Sequence, residues 1–306
     1  MSQLKAGVIG AGAFGGHHAR NYAQDRRVTL MGVFDPDRAR AEALAKQHGV
    51  KAFESAEALI ETVDLLTIAS PPSTHAALAH AALENGRHVL VEKPLAILPE
   101  EGERLVRLAK ENDLVLAVGH QERLVLEAIG LLDTPERPHE IHAERTGPWT
   151  GRSADVSVTL DLMIHDLDIA AYLINQAPVS AEAQGRQTQG ALCDELRAVA
   201  HFEKGAVAHF HASRISENRA RKMTLHYLSG VVTVDFNEKT FVNDSPFVLR
   251  SDFMKRPDAQ DPLGFNVRAF IAAIMGDELR PPVTGEEGLA ALRLAHLFDA
   301  QFAKAA

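Results

Sequence analysis

The hexapeptide Gly10-Ala11-Gly12-Ala13-Phe14-Gly15 constrains this chain more than any other feature, because of what stands on either side of it. An apolar run at residues 5–9 reads as a strand, and the residues after Gly12 read as the opening of a helix. In that setting the first glycine permits a tight turn, the second lets backbone approach a pyrophosphate, and the third lets helix and strand pack closely. The pyrophosphate would sit at the helix N-terminus, by Ala13 and Phe14, where unsatisfied N–H groups favour an anion. Twenty positions after Gly15 a second apolar run ends at Asp35. A carboxylate there accepts hydrogen bonds from both ribose hydroxyls and repels a 2′-phosphate, which favours NAD over NADP. Arg38 nearby carries a charge that pairs with such a phosphate, so NADP stays open. The plainer reading is a glycine turn with a surface aspartate.

The same alternation runs through the first 120 residues. Apolar runs at 5–9, 29–34, 65–69, 88–91 and 114–118 are separated by helix-forming segments such as 36–48, 74–85 and 99–112. Strands alternating with such helices imply right-handed crossovers and a parallel sheet. Pro36 and Pro99 suit the first turns of their helices, where a missing N–H costs nothing. Ligands of such sheets bind beyond the carboxyl ends of the strands. Two of those ends carry polar sequence, Ser70-Pro71-Pro72-Ser73-Thr74-His75 and Glu92-Lys93-Pro94-Leu95. The second aims a lysine at the cofactor crevice, although an isolated Glu-Lys-Pro is more ordinarily a surface lysine before a helix breaker.

Beyond about residue 121 the pattern changes. A strongly apolar helix over 161–174 precedes period-two segments at 206–212, 222–227, 231–236 and 247–250, with turns at Glu203-Lys204-Gly205 and Ser229-Gly230. Helices return at 265–275 and 286–303. The expected architecture is an α/β Rossmann domain with a parallel sheet over 1–121, followed by an α+β domain over 122–306 with one open, mainly antiparallel or mixed sheet. The last helix, 286–303, is expected to pack back on the first domain. Alternation puts Val207, His209 and His211 on one sheet face and Ala208, Phe210 and Ala212 on the other. Helices would cover one face and a second subunit the other, giving a homodimer or homotetramer.

Charge and composition exclude other classes. Lys and Arg number 32 against 41 Asp and Glu, a formal charge of −9, which argues against a general nucleic-acid binder. No apolar run reaches roughly 18 residues, so no membrane span is expected. Residues 1–10 read as a first strand rather than a leader. The single cysteine, Cys193, excludes an internal disulfide and cysteine-based metal sites. A soluble, cytoplasmic protein is expected.

Asp161 and His165, four apart on the predicted helix, share a face that Asp168 extends. Their neighbours Leu162, Met163, Ile164, Leu167 and Ile169 are apolar, so this polar stripe is either functional or a hydrogen-bonded structural network. Asp and His at this spacing can also hold an ion, but no H-E-x-x-H or cysteine cluster accompanies them, and no metal is expected.

Taken in order, residues 10–15, Asp35, residues 70–75, Glu92-Lys93-Pro94 and Asp161-Leu162-Met163-Ile164-His165-Asp166-Leu167-Asp168 resemble the glucose–fructose oxidoreductase / inositol dehydrogenase / rhizopine catabolism (Gfo/Idh/MocA) family. The resemblance implies a Rossmann domain, an α+β domain whose open sheet commonly forms the oligomer interface, and reversible hydride transfer. The partners would be a nicotinamide cofactor and a carbinol carbon of a sugar, polyol or sugar nucleotide. It implies that Gly10, Gly12 and Gly15 form the pyrophosphate turn and Asp35 the ribose acceptor. Ser70, Pro71 and His75 would flank the cofactor's inner half, with Glu92 and Lys93 beside them. Residues 118–123, including His120 and Arg123, are similar to the segment that crosses into the second domain. Many relatives continue it with a Phe-Asn-Pro-like sequence, where this chain has Leu124-Val125-Leu126.

Alcohol oxidation removes a proton as hydride leaves carbon. The resemblance makes His165 the base, with an ordinary pKa of about 6.5. It makes Asp161 the group that orients the ring, and Lys93 the donor that stabilises developing alkoxide charge. Candidate substrate contacts are His120, Arg123, Trp149, Arg152 and Arg214. Trp149 and Arg152 lie in the loop Arg145-Thr146-Gly147-Pro148-Trp149-Thr150-Gly151-Arg152, and Arg214 in a basic stretch. A surface loop with a packed Trp and a solvated basic cluster are the plainer readings. Within the family, residues 161–168 with these flanking segments are most similar to members that oxidise the 3-hydroxyl of UDP-N-acetylglucosamine. An NADP-linked polyol or aldose dehydrogenase or carbonyl reductase, a non-catalytic nicotinamide-binding sensor, and a scaffold are the alternatives.

Overall fold

In the computed structural model, which describes residues 3–151, 153, 155–189 and 191–305, the early alternation folds into a six-stranded parallel sheet. Its strands are β1 (Leu4–Ile9), β2 (Val28–Phe34), β3 (Lys51–Ala52), β4 (Leu65–Ile68), β5 (His88–Val91) and β6 (Leu116–Val118). They lie in the order β3-β2-β1-β4-β5-β6. Helices α1 (Ala13–Gln24), α2 (Arg38–His48), α3 (Ala56–Ile60), α4 (Pro72–Glu84) and α5 (Pro99–Glu111) make the crossovers. Both faces of the sheet are apolar, as a parallel sheet between two helical layers requires. Ile9, Leu66, Ile68, Leu83 and Val89 enter one core, and Val8, Tyr22, Leu30 and Val33 the other. Each fully buried Leu or Ile contributes about 1.5–3 kcal/mol. Connections diverge from the neighbours β1 and β4, the place where such sheets leave a crevice at the strand ends.

Two local expectations shift. Helix α2 starts at Arg38 and leaves Pro36 outside, because Asp37 takes the cap: its carboxylate accepts from the N–H groups of Ala39 and Arg40 at 3.1 and 3.2 Å. Pro99 does occupy the first turn of α5. The two-residue β3 and the short α3 are too brief to leave a periodic signal.

The next segment contains α6 (Glu122–Ile129), β7 (Glu140–Thr146), a π-helical turn at Thr159–Met163 and α7 (Ile164–Ile174). After these come β8 (Pro178–Arg186), β9 (Glu195–Phe202), β10 (Val207–Ser213), β11 (Ala220–Tyr227), β12 (Gly230–Asp235) and β13 (Thr240–Asn243). The seven strands lie in the order β13-β12-β11-β7-β10-β9-β8. All pairs are antiparallel except β10 with β7. Strand β8 shows no alternation because it is an edge strand with most residues exposed. Residues 247–250 are not the expected strand. Phe247 is held in a loop instead: Asn243 Nδ2 donates to its carbonyl at 2.9 Å and its ring stands 4.8 Å from Tyr227. Along β10, Ala208, Phe210 and Ala212 are buried, while Val207, His209 and His211 on the other face are half-buried.

The chain ends with α8 (Pro257–Gln260), α9 (Pro262–Met275) and α10 (Gly285–Ala305). It divides into two units, Met1–Gln121 with Asp261–Leu289, and Glu122–Gln260 with Ala290–Ala306. Leu263, Val267, Phe270 and Ile271 explain why α9 belongs to the first, since they enter its second core. Phe298 of α10 packs on Phe210 in the second unit, ring centroids 5.7 Å apart. Among the described residues no helix is long and apolar enough to cross a membrane.

Candidate active site

In the first unit the turn after β1 is shaped by backbone. Gly10 has φ +102°, and its N–H donates to Phe34 O at 2.8 Å. A Cβ on Gly10 would lie 2.5 Å from Ala69 O, so this turn presses on the chain leaving β4. A Cβ on Gly15 would lie 1.7 Å from Gly10 O, which is how closely α1 packs on the turn. Gly12 differs: a Cβ there meets nothing within 4 Å. It is the N-cap of α1 and provides no side-chain cap. An open position beside uncapped first-turn N–H groups fits a pyrophosphate. Ala13 and Phe14 follow, the Phe14 ring being exposed.

Asp35 is fixed by two backbone N–H groups, Ala11 donating to Oδ2 at 2.7 Å and Asp37 to Oδ1 at 2.8 Å. It thus stands against the glycine turn, where a ribose acceptor belongs. Arg38 donates from Nε to Glu42 at 2.7 Å and pairs with Glu54 at 2.9 Å, so two carboxylates already face its charge.

The loops after β4 and β5 are tied together by His75. Its Nδ1 lies 2.7 Å from Pro94 O and its Nε2 2.9 Å from Ser70 O. Burial pushes the His75 pKa below the usual value, so at neutral pH the ring donates one of these bonds. Pro71 caps α4 from the same loop. Glu92, just before the half-buried Lys93, is buried with His18 Nε2 2.8 Å from its Oε1. Gln121 Nε2 also donates to Glu92 Oε1 at 3.3 Å. Behind His18 stand Thr67 Oγ1 at 3.4 Å and then Tyr22, whose hydroxyl is 2.8 Å from that Oγ1. Burial alone would lift the Glu92 carboxyl; the His18 hydrogen bond and the charges of His18 and Lys93 outweigh it and hold it below its ordinary range. This buried network braces the backbone that carries Lys93. Sequence reading names Glu92 but not His18, Thr67, Tyr22 or Gln121. His120 is buried just after β6.

In the second unit Asp161 lies in the π-helical turn and His165 in the first turn of α7. Such turns recur at functional sites. This one is anchored by Asp299 of α10, which accepts from Ser157 Oγ at 2.7 Å and Thr159 Oγ1 at 2.6 Å. His165 Nδ1 stands 3.3 Å from Glu122 Oε2. Arg145 grips Glu122 with two bonds, Nη1 to Oε1 at 2.7 Å and Nη2 to Oε2 at 2.6 Å. It also donates to Asp166, Nε to Oδ2 at 3.0 Å and Nη2 to Oδ1 at 2.8 Å. Burial by itself would lift the Glu122 carboxyl, but the charges of Arg145 and His165 with the Arg145 hydrogen bonds hold it down at about 2. The carboxylate beside His165 is therefore ionised at any working pH. Sequence reading meets Glu122 in the crossing segment and Arg145 at the start of the Trp149 loop, but it pairs neither with His165. Helical spacing links Asp161 to His165 but says nothing of a residue 43 positions away from His165 in the chain.

Other polar residues of this unit are engaged structurally. Asp168 does not extend an open polar stripe: it is buried and takes Arg123 Nε at 3.0 Å. Arg123 is buried as well, 4.5 Å from the Tyr172 ring. Arg214 is buried, donating to Asp194 Oδ1 at 2.8 Å, Ser153 O at 2.8 Å and Val156 O at 2.9 Å. The half-buried Trp149 ring lies 5.0 Å from the Arg214 guanidinium. Arg152 lies outside the described residues. Lys93 belongs to the first unit, and Asp161, His165 and Glu122 to the second.

Comparison with known proteins agrees with both units. The family model described as "Oxidoreductase family, NAD-binding Rossmann fold" matches residues 4–120, and "GFO/IDH/MocA C-terminal domain" matches residues 133–233. The chain is 38% identical over 242 residues to a UDP-N-acetylglucosamine 3-dehydrogenase of Acidithiobacillus ferrooxidans, covering 78% of this chain and 76% of the relative. A crystal structure of that enzyme superposes with a TM-score of 0.88 at 33% identity, over 99% of this chain and 98% of the other. A scyllo-inositol 2-dehydrogenase (NAD(+)) of Bacillus subtilis is 29% identical over 70% of this chain and 68% of the relative.

Proposed function

Because the chain belongs to the Gfo/Idh/MocA family of NAD-binding oxidoreductases, dehydrogenases acting on CH–OH groups, we propose that it oxidises the 3-hydroxyl of a UDP-N-acetylglucosamine-type sugar nucleotide with NAD. The 38% identical relative supports that substrate. The inositol-oxidising relative keeps a free polyol as the second reading.

The cofactor, when bound, supplies the hydride acceptor. Gly12 and the start of α1 would hold its pyrophosphate, and Asp35 its ribose. His165 takes the hydroxyl proton. Glu122, at ion-pair distance from the ring, stabilises the imidazolium that forms, as a positioning residue rather than a catalytic one. Asp161, in the π-helical turn just before His165, steadies ring and substrate. Lys93 donates to the substrate oxygen as negative charge grows there. The observation that carries this reading is the 3.3 Å approach of His165 Nδ1 to a carboxylate that Arg145 keeps ionised.

Stopped-flow absorbance of reduced nicotinamide, with NAD and UDP-N-acetylglucosamine, tests it. His165→Ala and Lys93→Ala should each slow the hydride step by about 100-fold or more. Unchanged rates in both defeat the assignment. Glu122→Gln should shift the acidic limb of the kcat/KM profile to lower pH, with Glu122→Asp restoring it. A role confined to packing would lower the rate without moving that limb. In calorimetry, binding of free inositol but not of the nucleotide sugar would replace the substrate reading with the polyol one.

A further inference from the structure

The open face of the seven-stranded sheet, the face expected to meet a second subunit, carries a side-chain cluster with no part in hydride transfer. Strands β7 and β10 run in register with His142 beside His209, and β11 places Thr224 beside His142 and His226 beside Glu140. Residues two apart on a strand share a face, so Glu140 and His142 emerge together. His142 Nε2 lies 2.6 Å from Glu140 Oε1, and His209 Nε2 lies 3.7 Å from the same oxygen. The two imidazoles stack with centroids 4.5 Å apart and planes at 14°, and His226 stands edge-on to His142 at 5.4 Å. The cluster borders a groove of about 710 Å³ lined by His142, His209, Glu144, Arg197 and Lys222 among others.

We propose that Glu140, His142 and His209 form a binding site for one divalent transition-metal ion of the zinc class. Two imidazole nitrogens and one carboxylate oxygen, with one donor atom from each residue, lie within 4.8 Å of one another. Bonds of about 2.0–2.2 Å from Zn²⁺ to such ligands bring donors to roughly 3.3 Å apart. The three side chains are 38–48% exposed, so small rotations close that difference while the strand ladder holds their backbone. The ion takes the place of the direct contact between His142 and Glu140. A water, or His226, completes the fourth position. Imidazole and carboxylate donors without thiolate suit Zn²⁺, Ni²⁺, Co²⁺ or Cu²⁺ over the harder Mg²⁺ and Ca²⁺, which prefer all-oxygen cages.

Lys222 and Arg197 place permanent positive charge around the site, and Glu144 and Glu182 oppose it.

Titration calorimetry of the full, tag-free chain with ZnCl₂ tests the site, paired with visible absorption of the Co²⁺ form. The expected result is one ion per chain with a dissociation constant in the micromolar range or tighter. It should weaken about 100-fold in His142→Ala/His209→Ala and at least tenfold in the isosteric Glu140→Gln. Circular dichroism should show the variants folded, and the lower-coordinate Co²⁺ spectrum should vanish in the double variant. Wild-type binding no tighter than that of the double variant, or binding that persists unchanged in it, would mean an adventitious ion only and overturn the proposal. Hydride transfer does not enter the readout, so this site and the catalytic reading succeed or fail separately.

Discussion

Two regions of this molecule hold charge in place by opposite means. After β1, Gly10 and Gly15 bring backbone within contact of backbone, and the donors at the start of α1 border open space at Gly12. Around His165, the buried Arg145 and Asp166 and the half-buried Glu122 balance one another: Arg145 lies between the two carboxylates, and Glu122 faces the imidazole. A backbone site depends on the absence of side-chain atoms and is indifferent to pH. A side-chain site depends on the number and sign of its charges, so one substitution or a change in proton concentration unbalances it.

Glycine substitutions should break this comparison most visibly. Gly15→Ala puts a Cβ 1.7 Å from a carbonyl oxygen, and should cost more than about 4 kcal/mol in urea unfolding together with NAD binding. Gly12→Ala meets open space, so its unfolding midpoint should stay close to wild type while NAD affinity in calorimetry falls about tenfold. If the two variants behave alike, packing and ligand approach are not separable in this turn.

Arg145→Met comes next. It leaves the buried Asp166 and the half-buried Glu122 without their shared counter-charge, a loss of about 3–5 kcal/mol by the same unfolding measurement.

Acid sharpens the contrast. The folded Glu122 carboxyl titrates at about 2 against an ordinary 4.5. Its contribution is therefore complete above pH 4.5 and is lost as pH falls towards 2, about 3 kcal/mol over that window. Asp194 adds to the same trend. Burial would raise it, but the Gln189 and Thr188 N–H groups and Arg214 hold it down at about 2. Stability measured from pH 6 down to 2 should decline in wild type and decline less in Glu122→Gln. Parallel curves would sink the claim that Arg145 holds this carboxylate ionised.

The smallest effect belongs to cofactor choice. Asp35→Ser should raise the ratio of NADP to NAD turnover about tenfold. Arg38→Ala should change NAD affinity by less than about twofold, since its exposed pairs with Glu42 and Glu54 contribute little.

How much of this is legible in the chain follows from the range of the forces involved. The parallel sheet announces itself because β1, β2, β4 and β5 are apolar on both faces. The position of Lys93 follows from a strand that must stop before Pro94. Edge strand β8 and the two-residue β3 bury too little to leave a pattern. Residues 247–250 carry a strand-like pattern that a side-chain bond from Asn243 redirects into a loop. The stripe at Asp161, His165 and Asp168 looks uniform in sequence, yet Asp168 is matched to a buried arginine and His165 to Glu122.

By itself the chain determined its glycine turn, the acidic end of β2, the alternation that makes a Rossmann sheet and the ordered motifs of its family, because these rest on sterics and periodicities spanning a few residues. Tertiary structure alone decided that Glu122 faces His165, that Arg145 joins two carboxylates, that His18 braces Glu92, and that His142 and His209 meet over Glu140. Those pairings join positions far apart in the chain, and their energies exist only once the surrounding elements have excluded water and brought the charges within bonding distance.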